Sequence, residues 1–291
     1  MDERDSLAAI AEWLPDAGDD AAVVDGLVFT TDMLHETTDF PPGTTRYTAG
    51  WRAVGASLSD VAAMGAEATA AVAVYAAPDF DADDLRSFVE GARDVCELAG
   101  GRYVGGDLDD HEEFTVATSA IGRTDAPTHR STASSGEAVC VTGTLGRTGA
   151  ALRAFEDGDS ERGNALFRFE PRVAAGRALA PHVSAMMDSS DGLARSLHQL
   201  AEASDCGFAV EWDRVPLDDA VRELATTDRE AREFGLYTGE DFELVFTVPR
   251  DRLDDARAAS PVPVSVVGDV TGGGVTIDGD PLPDRGYTHG V

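Results

Sequence analysis

The sequence contains no lysine: all 23 basic residues among its 291 are arginine. This absence excludes a P-loop kinase, whose lysine contacts the phosphates, a protein kinase with its strand lysine, and a Schiff-base enzyme. Cysteine is also scarce. Cys96, Cys140 and Cys206 lie far apart, which fits neither a disulfide framework nor a zinc site. The cysteine pattern therefore predicts a reducing, cytoplasmic location.

Acidic residues number 54, so the formal net charge is −31. A chain this negative is a poor partner for nucleic acid or an anionic membrane, because like charges repel. No apolar run reaches the length of a membrane span. Such an acidic surface is typical of proteins that work in concentrated salt, which screens self-repulsion, and we expect a halophilic protein. An isolated Asp or Glu consequently carries little functional weight here.

Apolar periodicity divides the chain into two halves joined by a hydroxyl-rich linker over 123–136. Trp51, Val54, Leu58 and Val61 repeat at 3-4-3 spacing, as on one face of a helix packed against a sheet. The predicted strands are 27–31, 68–75, 114–121, 138–142, 183–187, 242–248 and 264–270, and further predicted helices are 81–98, 192–203 and 251–259. This alternation favours an α+β fold built of α/β layers. We expect an N-terminal domain over 1–130 and a C-terminal domain over 131–291.

Five acidic spots differ from the solvating acids around them, because they mostly follow apolar runs and are flanked by glycine or hydroxyl residues. They are centred on Asp20, Asp32, Asp60, Asp107 and the pair Asp188 and Asp191. Ends of strands are where α/β proteins place their ligand crevices, and carboxylates beside hydroxyls suit Mg²⁺. The 188–192 spot also starts a helix, whose free N–H groups favour phosphate oxygens. Any one spot alone could be a helix cap or a surface acid, but five in one context favour a site.

Two other candidate sites have less support. Gly143, Gly146 and Gly149 precede a helix, but without a lysine a close-packed turn is a better interpretation than a phosphate loop. No Gly-x-Ser-x-Gly elbow occurs, so a hydrolase triad has no support.

Six motifs occur together in an order that resembles the thiamine-monophosphate kinase family, within the aminoimidazole ribonucleotide synthetase-like superfamily. They are Gly18-Asp-Asp-Ala-Ala-Val, Thr30-Thr-Asp-Met, Ser57-Leu-Ser-Asp-Val-Ala-Ala-Met-Gly-Ala66, Gly105-Gly-Asp, Asp188-Ser-Ser-Asp-Gly-Leu193 and Thr238-Gly-Glu-Asp-Phe-Glu-Leu244. The resemblance runs from about residue 16 to about residue 287. It implies ATP-dependent, Mg²⁺-dependent phosphorylation of thiamine monophosphate to thiamine diphosphate by in-line transfer.

The resemblance also implies a homodimer whose N-terminal sheets pair into a β-barrel, with ATP and several Mg²⁺ ions near the interface. The implied metal ligands are Asp20, Thr30, Thr31, Asp32, Asp60, Asp107, Asp188 and Asp191. The implied nucleotide contacts are Gly106, Asp107, Arg130 and Ser190, and the implied catalytic groups are Asp32, Asp60, Asp107 and Arg130. The substrate side is expected at Asp39, Glu240 and Tyr287.

Four departures from the family pattern concern mainly the substrate side. Asp39 stands where many relatives have a histidine, and Asp284 stands where they have a stacking aromatic, with Tyr287 as the nearest ring. Leu108-Asp109-Asp110 follows the Gly-Gly-Asp motif in place of threonines, and Thr132 replaces a glycine after Arg130. Two alternatives remain open. One is an ATP-using enzyme of the superfamily with a different small phosphorylated or carboxylated substrate, and the other is a non-catalytic dimer that senses nucleotide and metal.

Overall fold

The first half of the chain forms a five-stranded sheet. The computed structural model describes residues 17–287 together with Ile10, Trp13 and Leu14. The strands are β1 (Ala22–Val24), β2 (Leu27–His35), β3 (Glu67–Ala77), β4 (Tyr103–Asp110) and β5 (Thr115–Arg123). Their spatial order is β1-β2-β5-β3-β4, and only the β3–β4 pair is parallel.

In the continuously described part of this half, residues 17–130, the helices beside this sheet are α1 (Glu36–Asp39), α2 (Arg46–Ala63) and α3 (Ala82–Leu98). Thr45 caps α2 by accepting a hydrogen bond from the Thr48 backbone N–H, as short hydroxyl residues do at helix starts. Where α2 crosses α3, a Cβ at Gly91 would lie 2.0 Å from the Tyr47 carbonyl oxygen. Glycine at position 91 therefore permits the close crossing of α2 and α3.

The second half forms a seven-stranded sheet in the order β12-β11-β8-β10-β6-β9-β7. Its strands are β6 (Ala138–Thr142), β7 (Ala185–Asp188), β8 (Gly207–Val210), β9 (Leu244–Val248), β10 (Val264–Thr271), β11 (Val275–Ile277) and β12 (Asp280–Pro281). The pairs are antiparallel except β8–β11. Strands β6 and β9 are buried along their whole length, as expected for strands covered on both faces.

Seven helices surround the second sheet: α4 (Arg147–Glu156), α5 (Ser160–Phe167), α6 (Val173–Leu179), α7 (Leu193–Ser204), α8 (Asp219–Leu224), α9 (Asp228–Leu236) and α10 (Leu253–Ala259). One apolar cluster includes Val28 and Leu58 from the first half and Leu179 and Phe246 from the second. The two halves therefore share a core, which fixes the loops that meet between them. Within the described residues, no helix is long and apolar enough to cross a membrane.

Most of the predicted strands lie within observed ones or overlap them closely, with one informative difference. The strand predicted over 242–248 begins only at Leu244, because Glu240 and Phe242 adopt left-handed backbone conformations with φ of 56° and 53°. Residues 124–137, which include most of the predicted linker, contain no helix or strand. The structure also contains β4 and several short helices for which the periodicity provided no signal.

Candidate active site

Three carboxylates from distant parts of the chain meet between the two halves. One oxygen each of Asp20, Asp60 and Asp188 lies within 4.8 Å of the other two. Asp20 precedes β1, Asp60 lies in the last turn of α2 and Asp188 is the last residue of β7. The cluster is thus supplied by residues at the ends of two strands and one helix.

The cluster is electrostatically unfavourable by itself. Burial raises the pKa of Asp188 to about 7, with a further contribution from the charge of Asp20. Burial likewise raises the pKa of Asp60 well above its ordinary value, and the charges of Asp32, Asp188 and Asp20 add to the effect. At this separation two carboxylates repel by roughly 3–4 kcal/mol in a partly polar environment. A cation among them would remove that repulsion.

The donor set suits a hard divalent cation. All three side chains offer carboxylate oxygens, which Mg²⁺ prefers. The buried Asp188 Oδ2 and Ser189 Oγ atoms have no hydrogen-bond partner within the described part of the chain. Buried polar atoms are rarely left unsatisfied without a reason. These observations fit a site for a bound metal ion.

Two further predicted residues lie beside the cluster because of the alternation of β2. Thr30 Oγ1 donates a hydrogen bond of 2.5 Å to Asp60 Oδ2, and Ser57 Oγ donates one of 2.5 Å to Asp32 Oδ2. Residues 30 and 32 share a strand face, since side chains alternate along a strand, and that face packs on α2. Burial raises the pKa of Asp32, although the Ser57 hydrogen bond opposes the effect.

Thr31 and Asp107 lie on the other face of the sheet. The Thr31 hydroxyl donates to the Thr118 carbonyl oxygen, and the exposed Asp107 lies opposite Val74 in the β3–β4 register. Asp107 is also three strands away from β2, about 14 Å at normal strand spacing. Within one chain, therefore, neither side chain joins the carboxylate cluster, and both metal assignments remain predictions.

The Gly-Gly-Asp motif has a packing role in this chain. A Cβ at Gly106 would lie 1.7 Å from the Ala73 carbonyl oxygen, so only glycine allows β4 to approach β3 here. Gly106 and Asp107 also line an open, mainly apolar groove with Tyr75, Leu85 and Val104, with a volume of about 580 Å³. A nucleotide contact at Gly106 remains a prediction.

Arg130 binds the acidic cluster directly. Its Nη2 lies 2.8 Å from Asp20 Oδ1 and its Nε lies 3.2 Å from Asp20 Oδ2, which is a two-point pairing. Burial alone would lower the pKa of Arg130, but the charge and hydrogen bonds of Asp20 raise it overall. The guanidinium therefore stays charged beside the carboxylates.

Asp19 and His129 also lie beside Arg130, although the sequence pattern did not single them out. Asp19 Oδ2 lies 2.8 Å from His129 Nδ1, and the Arg130 backbone N–H donates to Asp19 Oδ1 at 3.2 Å. Both residues line a cavity of about 320 Å³ that also contacts Arg130 and Ser131. Asp19 belongs to the same Gly-Asp-Asp motif as Asp20, so the motif contained a signal for both residues.

A separate cleft adjoins the cluster at Asp32. It is lined by Asp32, Met33, Leu34, Asp39, Ala56, Ser190, Asp191, Glu240, Phe242 and Tyr287. The Tyr287 hydroxyl donates a 2.9 Å hydrogen bond to Asp39 Oδ1 across it. The three predicted substrate residues are thus brought together around one cleft, with the predicted residues Ser190 and Asp191 on the same wall.

The wall that carries Glu240 is held in an unusual backbone conformation. Glu240 and Phe242 have positive φ values, which cost energy in residues with side chains and tend to occur at functional sites. The Glu240 N–H donates to the Ser190 carbonyl oxygen at 2.6 Å. Asp241 accepts hydrogen bonds from the backbone N–H groups of Gly146 and Thr148 at 2.6 and 2.9 Å. The wall is thereby anchored to both the 188–192 loop and the start of α4.

Two family models match the chain. AIR synthase related protein, N-terminal domain, covers residues 18–124, and AIR synthase related protein, C-terminal domain, covers residues 134–279. By its fold, with the acidic site between its halves, the chain therefore belongs to the class of AIR synthase related proteins. This match confirms the α+β two-domain fold predicted from the sequence.

Several relatives narrow the class. The chain is 60% identical to a thiamine-monophosphate kinase of Halobacterium salinarum, over 99% of this chain and 100% of the relative, and 38% identical to one of Methanospirillum hungatei, over 99% of each. The solved structure of AaThiL complexed with AMPPCP and TMP superposes with a TM-score of 0.90 at 26% identity, over 99% of this chain and 97% of that one. The chain belongs to the thiamine-monophosphate kinase family, which confirms the resemblance found in its motifs.

Proposed function

We propose that the protein transfers the γ-phosphoryl group of ATP to thiamine monophosphate, giving thiamine diphosphate and ADP. The observation that carries this proposal is the convergence of Asp20, Asp60 and Asp188 beside a cleft lined by Asp39 and Glu240. Family membership supports it, as does the AaThiL complex with AMPPCP and TMP.

Mg²⁺ is the cation that this donor set suits best. Asp20, Asp60 and Asp188 would hold it, with Asp32 as a further carboxylate beside them. When bound, Mg²⁺ neutralises charge on the phosphate oxygens that react and leave. Asp107, Thr31 and Asp191 are proposed as additional ligands from the family resemblance alone.

The remaining chemistry depends on positioning and charge. The attacking atom is a phosphate oxygen of thiamine monophosphate, which is already an anion near neutral pH, so no general base is required. Arg130, already charged beside Asp20, supplies a fixed positive charge for the transferred group.

The cleft is suited to a cationic substrate. The carboxylates of Asp39 and Glu240 both line it, and the Tyr287 hydroxyl donates a hydrogen bond to Asp39. The thiazolium ring of thiamine monophosphate is positively charged, and its aminopyrimidine carries N–H donors that carboxylates accept. Asp39 can thus replace the histidine of relatives by charge complementarity rather than by shape.

One assay tests the function. Purified protein in molar KCl receives ATP, Mg²⁺ and thiamine monophosphate, and thiamine diphosphate is quantified by chromatography. We expect product, with no product when the acceptor is omitted. ATP consumption only with other phosphorylated or carboxylated acceptors would indicate the alternative enzyme, and nucleotide binding without turnover would indicate a sensor. Either outcome would contradict the proposal.

We also propose a homodimer formed through the first sheet. Phe29, Met33, Val72, Val74 and Ile121 are each 37–56% exposed on one sheet face, where the register places them in adjacent rows. A contiguous apolar patch of this kind marks an interaction surface. Asp107 lies on the same face, so a second copy seated there would place Asp107 in or beside the interface.

The dimer has two tests. Val74→Glu should give monomers in light scattering, whereas Leu98→Glu, at an exposed position of α3, should leave the dimer intact.

Mixing Asp60→Asn with Asp107→Asn chains should restore activity if Asp107 acts across the interface. Heterodimers then contain one intact site, giving about a quarter of the wild-type activity after random exchange. Monomeric wild-type protein would disprove the dimer, and no restored activity would disprove the action in trans.

We further propose a cytoplasmic protein whose two domains divide near residue 130. All three cysteines are free, as in a reducing compartment. The family models end and resume at 124 and 134, on either side of the proposed boundary between 1–130 and 131–291. Limited proteolysis, with the fragments identified by mass spectrometry, should cut between those residues first.

A further inference from the structure

Arg52 is a completely buried cation that has no role in the reaction proposed above. It lies on α2, two turns before Asp60, and its exposed fraction is 0%. Its guanidinium carbon lies 3.6 Å from the centre of the Phe167 ring and 5.6 Å from the centres of the Phe169 and Phe242 rings. Burying a charge among rings is costly unless it is paired, so its partner is informative.

That partner is Glu240. Arg52 Nη2 donates a 2.7 Å hydrogen bond to Glu240 Oε2 and lies 3.3 Å from the Glu240 carbonyl oxygen. Arg52 Nη1 donates to the Phe167 carbonyl oxygen at 2.7 Å. The planar guanidinium therefore fixes one oxygen of the Glu240 side chain relative to the buried core.

The backbone of Glu240 is fixed independently. Its N–H donates to the Ser190 carbonyl oxygen at 2.6 Å, and its carbonyl oxygen accepts from Thr148 Oγ1 at 2.8 Å. The side chain remains 20% exposed and lines the same cleft as Asp39. These two shorter contacts hold the main chain in addition to the 3.3 Å contact from Arg52, so the 2.7 Å bond to Oε2 mainly sets where the carboxylate points.

We propose that Arg52 is a positioning residue for the thiamine side of the cleft: it orients the Glu240 carboxylate toward the bound acceptor. The inference rests on the proposed function, because it assigns a role within that same cleft. This role predicts that a substitution of Arg52 changes the KM for thiamine monophosphate and leaves the KM for ATP nearly unchanged. A residue that only stabilised the fold would affect ATP and thiamine monophosphate alike.

A double-mutant cycle tests the role. Arg52→Gln should raise the KM for thiamine monophosphate about tenfold, the effect of losing one charge-assisted hydrogen bond, while the KM for ATP stays within about twofold. The double variant with Glu240→Gln should have the same KM for thiamine monophosphate as Glu240→Gln alone, since both substitutions remove the same interaction. Arg168→Gln is the matched control. This nearby arginine contacts Tyr47 and Thr48 instead and should leave both constants unchanged.

A second variant covers the case in which Arg52→Gln fails to fold. Arg52→Lys keeps the buried charge but replaces the planar fork, whose two nitrogens reach Phe167 and Glu240, with one nitrogen on a shorter side chain. It should raise the KM for thiamine monophosphate by about threefold. Equal rises in both KM values, or effects that multiply in the double variant, would overturn the positioning role. Absence of thiamine diphosphate with folded wild-type protein would instead overturn the proposed function.

Discussion

At the scale of single residues, the site is defined by carboxylates that repel one another. Asp60 is the central member: burial and three neighbouring aspartates raise its pKa, and Thr30 donates to it. Such crowding is stable only when protons or cations compensate it. The residues themselves thus favour the binding of a cation at this site.

Asp60→Asn should lower turnover at least about a hundredfold, the scale of losing one group that stabilises transition-state charge. The variant should remain folded in high salt, because the amide relieves repulsion. Mg²⁺ should raise the unfolding midpoint of the wild type more than that of the variant, since binding to the folded state stabilises it. Asp79→Asn, at an exposed position, serves as control. Near-normal turnover would contradict the metal assignment.

Asp39→Ala should raise the KM for thiamine monophosphate more than the KM for ATP, because Asp39 lines the cleft away from the three-carboxylate cluster. Tyr287→Phe removes one hydrogen bond to Asp39, which still accepts from the His35 N–H and the Thr38 hydroxyl, and should have a smaller effect in the same direction. Steady-state kinetics with each substrate varied in turn measures both. Equal changes for the two substrates would argue against a substrate role for Asp39.

Thr132 occupies a position that favours glycine. Its φ is +83°, which is strained for a β-branched residue. Thr132→Gly should be more stable than Thr132→Ala by about 1 kcal/mol, because both lose the hydrogen bond to the Ser184 carbonyl oxygen and only glycine relieves the backbone. Urea denaturation in molar KCl measures the difference. Equal stability of the two variants would show that the backbone is not strained there.

At the scale of elements, the start of α4 is joined to the cleft wall through Asp241. Gly146 precedes α4 with a φ of +86°, and its N–H and that of Thr148 point to the Asp241 carboxylate. A carboxylate at a helix N-terminus is favourable. Burial nevertheless dominates and raises the pKa of Asp241 from 3.8 to about 7, although those two backbone hydrogen bonds lower it.

The raised pKa predicts a pH dependence of stability. The folded protein binds the Asp241 proton more tightly than the unfolded chain does. The stabilisation that this group contributes to the free energy of unfolding is therefore complete below pH 3.8 and is lost as the pH rises to about 7. The free energy of unfolding of the wild type minus that of Asp241→Asn should therefore fall by up to about 1.4 kcal/mol per pH unit in this window. Denaturant titrations across the window measure it. A difference that rises with pH would contradict the assignment.

Elements also show where sequence periodicity succeeded and failed. Strands β2, β3, β5, β6, β9 and β10 were found from apolar runs. Strand β4 was missed because its sequence, Tyr103–Asp110, is rich in glycine and aspartate, which strands disfavour. It forms because β3 provides a parallel partner, and that information is not local.

At the scale of the whole molecule, charge governs stability. With a net charge of −31, self-repulsion destabilises the compact state in dilute buffer. Molar salt shortens the screening length to about 3 Å. The thermal unfolding midpoint should accordingly rise steeply with KCl, as followed by circular dichroism. The same midpoint in dilute buffer and in molar KCl would contradict a halophilic adaptation.

The sequence by itself determined the chemistry. Acidic residues beside hydroxyls and glycines, with arginine in place of lysine throughout, indicated a site for a cation and phosphate. The order of the motifs identified the family. Only the tertiary structure decided which of those acids meet. It joins Asp20, Asp60 and Asp188, leaves Asp107 on the opposite face of the sheet, and pairs Arg52 with Glu240 across 188 residues of chain. The physical reason is that periodicity describes one segment at a time, whereas distances between segments depend on strand order, register and the packing of α2 between both halves.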